Sequence, residues 1–356
     1  MGVYTDSGNG DSHMRRIPLL LSVTLIAFTI PASAQPAGPY KILKTAKVGG
    51  VGSFDYVYAD EANRKLYIPR GGQGARVSVF NLDTLEPAGE IANTNARGTA
   101  VSAKSGRGFA SSKPVAMWDA KTLTPIKTIT VDGGPDGILL DPFNDMVYVF
   151  SHQAPNATVI NAADGKIMGT IDLGGMPEQA VSDGKGHIYV DIEDKGNVAV
   201  IDANTMAVTA HYDLEGKGGQ CAGLAMDQKN RILFATCRNP QNVVILNADT
   251  GKIITSLPIG SGTDGAVFNP KTMELFSSQG DGTLTIVKEN SPTSFEVEQT
   301  LQTMRGGKTL TFDSKTGHIL IIAAEYGPPA TPAPAGGRPG RGPMIPDSFS
   351  ILVVGK

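Results

Sequence analysis

Seven times between residues 60 and 313, a short stretch of alternating apolar residues ends on a polar turn former: Asp60, Ser102, Asp141, Asp183, Asp227, Asn269 and Asp313. The spacing is about forty residues each time, a period that belongs to chains built as rings or stacks of one supersecondary unit. The unit is plainest within Gln220–Lys252. There Ala222–Met226 and Ile232–Thr236 flank the polar turn Asp227–Arg231, and Asn242–Leu246 runs into Asn247-Ala248-Asp249-Thr250-Gly251 before a fourth stretch, Ile253–Ile259. Apolar residues at every second position, bounded by Asn, Asp and Gly, make half-buried antiparallel strands. Seven copies of four strands predict an all-β chain, a seven-bladed β-propeller of four-stranded antiparallel blades.

The last copy has first, second and third strands near 313, His318–Ala323 and Phe349–Val353, and no room for a fourth. Tyr40–Val48 is a spare strand at the other end. Pairing it with Phe349–Val353 closes the ring and removes its exposed edges. One segment breaks the period: Gly327–Pro346, rich in Pro, Gly and Ala, sits between the second and third strands of copy seven. It cannot build a core, and it is expected as an extended loop on the channel-mouth face, serving as a loose gate or as an insertion without a role. Most third strands close on Asn81, Asp119, Asn161, Asp202 or Asn247, side chains that cap the backbone of a turn, so these and the aligned Asp series are assigned to structure.

With 31 basic and 34 acidic residues the net charge is −3, and no basic tract marks the chain for nucleic acid. Forty-three glycines with 6% aromatics suit a turn-rich all-β protein. Near the start, Met14-Arg15-Arg16 precedes the apolar run Ile17–Ile30, and Ala32-Ser33-Ala34 offers a small-residue cleavage site. This pattern reads as a secretory signal peptide. The run is interrupted by Pro18 and falls short of the ~20 residues of a spanning helix, so no membrane span is expected after cleavage. The expectation is residues 1–34 as extension and signal, residues 35–356 as one propeller domain, and an exported product.

The repeat, roughly P-x-G-x-x-x-D, L-Y-V, V-x-V-I-D-x-x-T-G-K, resembles the YVTN-repeat propellers and their YncE-like family. The residues that carry the likeness are Pro135–Asp141 with Val147-Tyr148-Val149, Ile188-Tyr189-Val190, Val198–Asp202, Asn247–Lys252, Gly49–Tyr58 and Arg305–Phe312. It covers Tyr40–Lys356. The YVTN box itself is degraded in copies five and six, at Leu233–Cys237 and Leu275–Ser278. The resemblance implies the propeller fold and leaves function open, because such folds host both binding proteins and enzymes.

In a propeller of this kind the first strand lines a central channel and its start opens on one face. Five residues before each alignment position lie Asp55, Arg97, Asp136, Glu178, Ala222, Asp264 and Lys308. Four acids and two bases thus converge on one mouth, and the second-strand ends add Arg70, His152, Arg238, Gln279 and Glu325. The cluster reads either as a solvated rim with internal ion pairs or as a site for a polar ligand. Its carboxylates suit calcium or magnesium, although no EF-hand or HExxH spacing supports a metal. Of five histidines only His152 is near the mouth, where with Asp136 it could form an acid–base pair. No Gly-x-Ser-x-Gly nucleophile motif occurs. The two cysteines, Cys221 and Cys237, lie symmetrically about residue 229 in a hairpin, within disulfide reach; two free thiols in a β-core are the alternative.

Three functions follow as expectations. One is a non-catalytic binding propeller holding a small polar molecule, a peptide or a protein partner at the funnel. Another is a hydrolase or lactonase using funnel carboxylates around a divalent cation. Binding of single-stranded nucleic acid, the third, is implied only by the resemblance, and the acid-rich rim and the absence of a basic patch oppose it.

Overall fold

The computed structural model describes residues 38–328 and 342–356 of the chain. The expected leader, residues 1–34, lies outside the described residues, as does the middle of the Pro/Gly-rich insertion. All regular structure among the described residues is β, in seven separate four-stranded antiparallel sheets. No helix among the described residues is long and apolar enough to cross a membrane.

Each sheet is one copy of the repeat, and the first six are built in chain order from the channel outward. In blade five the strands are Cys221–Asp227, Ile232–Arg238, Gln241–Asn247 and Ile253–Pro258. The first strands of neighbouring blades touch one another all the way round, blade seven against blade one included. They line a channel of about 330 Å³. The two faces of every blade are apolar, and each buries against the next blade, which gives seven interblade clusters. Tyr148, Phe150, Ile188 and Val190 join blades three and four, and Leu66, Ile68, Ile322 and Phe349 join blades one and seven. At roughly 1.5–3 kcal/mol for each large side chain buried, these seven cores are the main source of cohesion.

Ring closure follows the sequence expectation. Lys41–Lys47 pairs antiparallel with Ser350–Gly355 as the outermost strand of blade seven. The strand is itself mostly exposed, so its anchor is Tyr40. Gln299 of blade six accepts from the Tyr40 N–H and donates to its carbonyl, each at 2.9 Å, and the Tyr40 ring stands edge-on to Phe276. The Tyr40 hydroxyl also donates to buried Glu274, which Lys356 reaches from the opposite chain end at 2.9 Å. The two termini are therefore clamped to blade six as well as to each other.

The turn residues act as caps. Asn81, Asp119, Asn161, Asp202 and Asn247 accept backbone N–H groups two or three residues on, and so do Asp60, Asp141, Asp183 and Asp227. Several of them also staple blades together on the face opposite the mouth, through Arg64–Asp313 at 2.7 Å, Arg231–Asp183 at 2.9 Å and Ser182–Asp141 at 2.6 Å.

The ends of the insertion are ordered. Gly327 N–H donates to Pro343 at 2.9 Å, Ile345 N–H to Glu325 at 2.8 Å, and Tyr326 bridges Met344.

Candidate functional site

At the mouth the regular ladder breaks in the same way in four consecutive blades. Pro135 pairs with Ser151 but Ile138 with Val149; Pro177 with Ile192 but Ala180 with Val190. Cys221 pairs with Cys237 but Gly223 with Thr236, and Thr263 with Gln279 but Gly265 with Ser278. Each slip is a bulge on the first strand, and the residues caught in it include Asp136, Glu178, Ala222 and Asp264. A bulge redirects the side chain it carries, and here it aims the rim residues at the centre of the ring.

The disulfide depends on the same device. The blade-five hairpin closes on Asp227 opposite Ile232, one residue away from a centre at 229. Without the bulge Cys221 would face Arg238; with it, Cys221 and Cys237 pair and are joined.

Beneath the rim two side chains cross the channel. The Tyr56 hydroxyl, from blade one, donates to Glu178 of blade four at 3.0 Å. Gln179 donates to the Ala266 carbonyl and accepts from the N–H groups of Leu224 and Ala266 at 3.0–3.1 Å, tying blades four, five and six. Together they floor the mouth. Neither was singled out in the sequence, since neither Tyr nor Gln stands out from core or turn residues there.

The rim divides into two halves. On the side of blades five, six, seven, one and two, the charges Asp55, Arg97, Arg238, Asp264 and Lys308 pair with one another. Arg97 donates to Asp55 at 3.0 Å, Lys308 lies 3.4 Å from Asp55 and contacts Asp264, and Arg238 contacts Asp264 from the other side. Burial lowers the Lys308 pKa, but the negative charges of Asp264 and Asp55 outweigh it and hold the ammonium above its usual value. Above these groups opens a basin of about 560 Å³, whose lining also includes exposed Arg305 and Asp281.

The side of blades three and four is carboxylate-rich. His152 Nε2 lies 3.3 Å from Asp136 and 3.5 Å from Glu178. Glu193, just past the second strand of blade four, belongs to the same group and meets Arg238 at 2.5 Å. Burial, then the charges of Asp55 and Glu178, push the Asp136 carboxyl up to about 6. Contact with the Glu178 carboxylate, then the charge of Asp136, raises His152 against the opposing effect of its burial. Burial also raises Glu178, but His152 and the charge of Arg238 reverse that and leave it below the usual range.

Of the residues marked in the sequence, the structure brings together Asp55, Arg97, Asp136, His152, Glu178, Arg238, Asp264 and Lys308. It turns Arg70, Gln279 and Glu325 elsewhere. The second-strand residue that reaches the mouth follows the partner of the residue before the bulge: His152 follows Ser151, Glu193 follows Ile192, and Arg238 follows Cys237. In blade six the partner of Thr263 is Gln279 itself, so the mouth position falls to Gly280. Gln279 instead bonds Ser277, Thr283 and Thr285 inside its blade. Arg70 likewise stops one residue short of Gly71, which bridges Ser53, and its guanidinium lies buried over the Phe349 ring at 3.6 Å. Side chains alternate along a strand, so an offset of one residue sends each to the wrong face. Glu325 is exposed beyond its strand, with its N–H on Ser348. Glu193 was missed for the converse reason: it occupies the right register but lies outside the apolar strand pattern.

No protein-family model matches the sequence, and no curated protein does. Solved structures are similar in fold. One titled "Structure of U3-55K" superposes with a TM-score of 0.67 at 11% identity, over 88% of this chain and 98% of that one. Another, titled "Crystal Structure of Mitotic Checkpoint Complex", gives 0.66 at 10% identity, over 87% and 96%. Likeness at that identity concerns fold alone. The chain is a seven-bladed β-propeller.

Proposed function

We propose that this is an exported binding propeller of the YVTN-repeat, YncE-like kind, which holds a compact polar ligand, or a polar segment of a peptide or protein partner, at the funnel mouth without turning it over. One observation carries this reading: an open basin of about 560 Å³ walled by charges that already hold one another in place. Such pairs are preorganised, so a ligand meets fixed donors and acceptors and loses little to reorganisation. Arg97 and Arg305 present exposed guanidinium groups to the basin, which favours a ligand carrying carboxylate or phosphate. Export is supported by the leader pattern and by the Cys221–Cys237 bond, which persists in oxidising compartments.

Titration with succinate and with inorganic phosphate tests the reading. Either anion should raise the melting temperature of the purified chain, and Arg97→Gln combined with Arg305→Gln should abolish the rise while leaving the free protein unchanged. Equal responses in parent and double variant would overturn it. A second reading, hydrolase or lactonase chemistry, is favoured by the Asp136–His152 contact at 3.3 Å. Lactone turnover by the parent that disappears in Asp136→Asn would establish that reading instead.

A further inference from the structure

The carboxylate-rich half of the mouth holds three ligand-type side chains from two neighbouring blades. His152 of blade three and Glu178 and Glu193 of blade four each offer one donor atom, and these atoms all lie within 4.8 Å of one another. Asp136 stands beside them, 3.3 Å from the same imidazole nitrogen. We infer that this group is a binding site for one divalent transition-metal ion, of the zinc or manganese class, with His152 Nε2 and the carboxylates of Glu178 and Glu193 as ligands and Asp136 available as a fourth.

Four features support the assignment. The first is the setting of the imidazole: Nε2 of His152 is shielded from solvent and points between two carboxylates, 3.3 Å from Asp136 and 3.5 Å from Glu178, with no well-formed hydrogen bond to either. Converging donors of that kind around one shielded nitrogen are what a cation site requires. The second is charge. Asp136, Glu178 and Glu193 face a single imidazole, and Arg238, which bonds Glu193, is itself shared with Asp264. A divalent ion offsets the excess. Support from outside the ligand set is the third: the Tyr56 hydroxyl donates to Glu178 at 3.0 Å and Arg238 to Glu193 at 2.5 Å, which orient the carboxylates as outer-shell partners of metal ligands do. The fourth is chemical class. Calcium and magnesium prefer oxygen donors alone, whereas a set of one imidazole nitrogen with carboxylates suits zinc or manganese. The sequence reading named calcium or magnesium because it counted the acids without Glu193 and without His152 at their centre.

The donor atoms are spread slightly wider than a bound ion requires, so binding must draw Glu193 inward by side-chain rotation. It stands partly exposed at the strand end, and its bond to Arg238 must shift with it. The site adjoins the ligand basin through Arg238, which lines that basin and bonds Glu193.

The test uses the full chain without a polyhistidine tag, stripped with chelator and titrated by calorimetry. Zinc or manganese should bind at one ion per chain, with calcium and magnesium at least ~100-fold weaker. His152→Ala and Glu193→Gln should each weaken uptake on the order of 100-fold, and Tyr56→Phe, which removes only the outer-shell bond, by about 10-fold. Glu193→Gln keeps the side-chain shape and guards against loss of fold in the alanine variant. His187→Ala removes an imidazole paired with Asp183 on the opposite face and should leave uptake unchanged. Failure to take up one ion per chain would overturn the inference. So would uptake that survives both His152→Ala and Glu193→Gln, or that falls only in His187→Ala.

Discussion

The two halves of the mouth are built by the same backbone device and differ in how their charges are settled. Around Asp264, Lys308 and Arg238 the ions are partly buried and mutually paired. Around Glu178, carboxylates from two blades crowd one imidazole, and the local surplus is negative. Burial costs a charge its hydration in either place; in the first half the cations Arg238 and Lys308 recover that cost by pairing, while burial still holds Asp264 above its usual range. The second half has a carboxyl pushed up to about 6 and a shielded imidazole nitrogen between two carboxylates. Closed pairing favours a rigid wall, whereas unsettled charge favours a bound cation. Arg238, which touches both Asp264 and Glu193, is the seam between them.

Both halves require a closed ring, so the largest effect should come from opening it. Deleting residues 38–47 removes the strand paired with Ser350–Gly355 and the Tyr40 anchor on blade six. It should consume most of the ~5–15 kcal/mol that a folded domain has, and produce aggregation through the bared edge. A deletion variant that melts like the parent in calorimetry would show that neither half depends on closure.

The next contrast separates the halves. Asp264→Ala removes the buried partner that Arg238 and Lys308 share and leaves them Glu193 and Asp55 alone, so it should cost about 1–3 kcal/mol in urea denaturation. Asp136→Asn relieves repulsion among carboxylates and should be neutral or slightly stabilising. Equal losses in the two variants would erase the distinction drawn here.

The smallest effect is in pH. Asp136, pushed up to about 6, and Glu289, pushed up to about 7 by burial on the opposite face, both bind a proton more tightly folded than unfolded. His152 is raised as well. Each therefore stabilises the fold most at low pH; the benefit of the two carboxyls is lost as pH rises from the usual carboxylate range through about 7, and that of His152 as pH rises above the usual imidazole range. The parent should melt about 2 °C lower at roughly pH 8 than at pH 5, and Asp136→Asn should flatten the curve below 7. A parent curve that rises over that interval would contradict the assignment.

The sequence by itself determined the seven copies, the order of strands in each blade and the closing strand. All of these are written locally, in period-two apolar stretches and in Asn, Asp and Gly turns that cap their own backbone. It also located most of the rim, because the residue five places before each turn keeps that distance whatever the neighbouring blade does. Only the tertiary structure decided which second-strand residues join the rim. Arg70 and Gln279 fell away and Glu193 entered because a one-residue bulge between paired strands resets the register, and a bulge is visible only in the pairing. The division of the mouth was decided there too. Whether Asp264 is neutralised and Asp136 is not depends on contacts such as Arg238 to Asp264 and His152 to Glu178, which join blades that are adjacent in the ring but tens of residues apart in the chain.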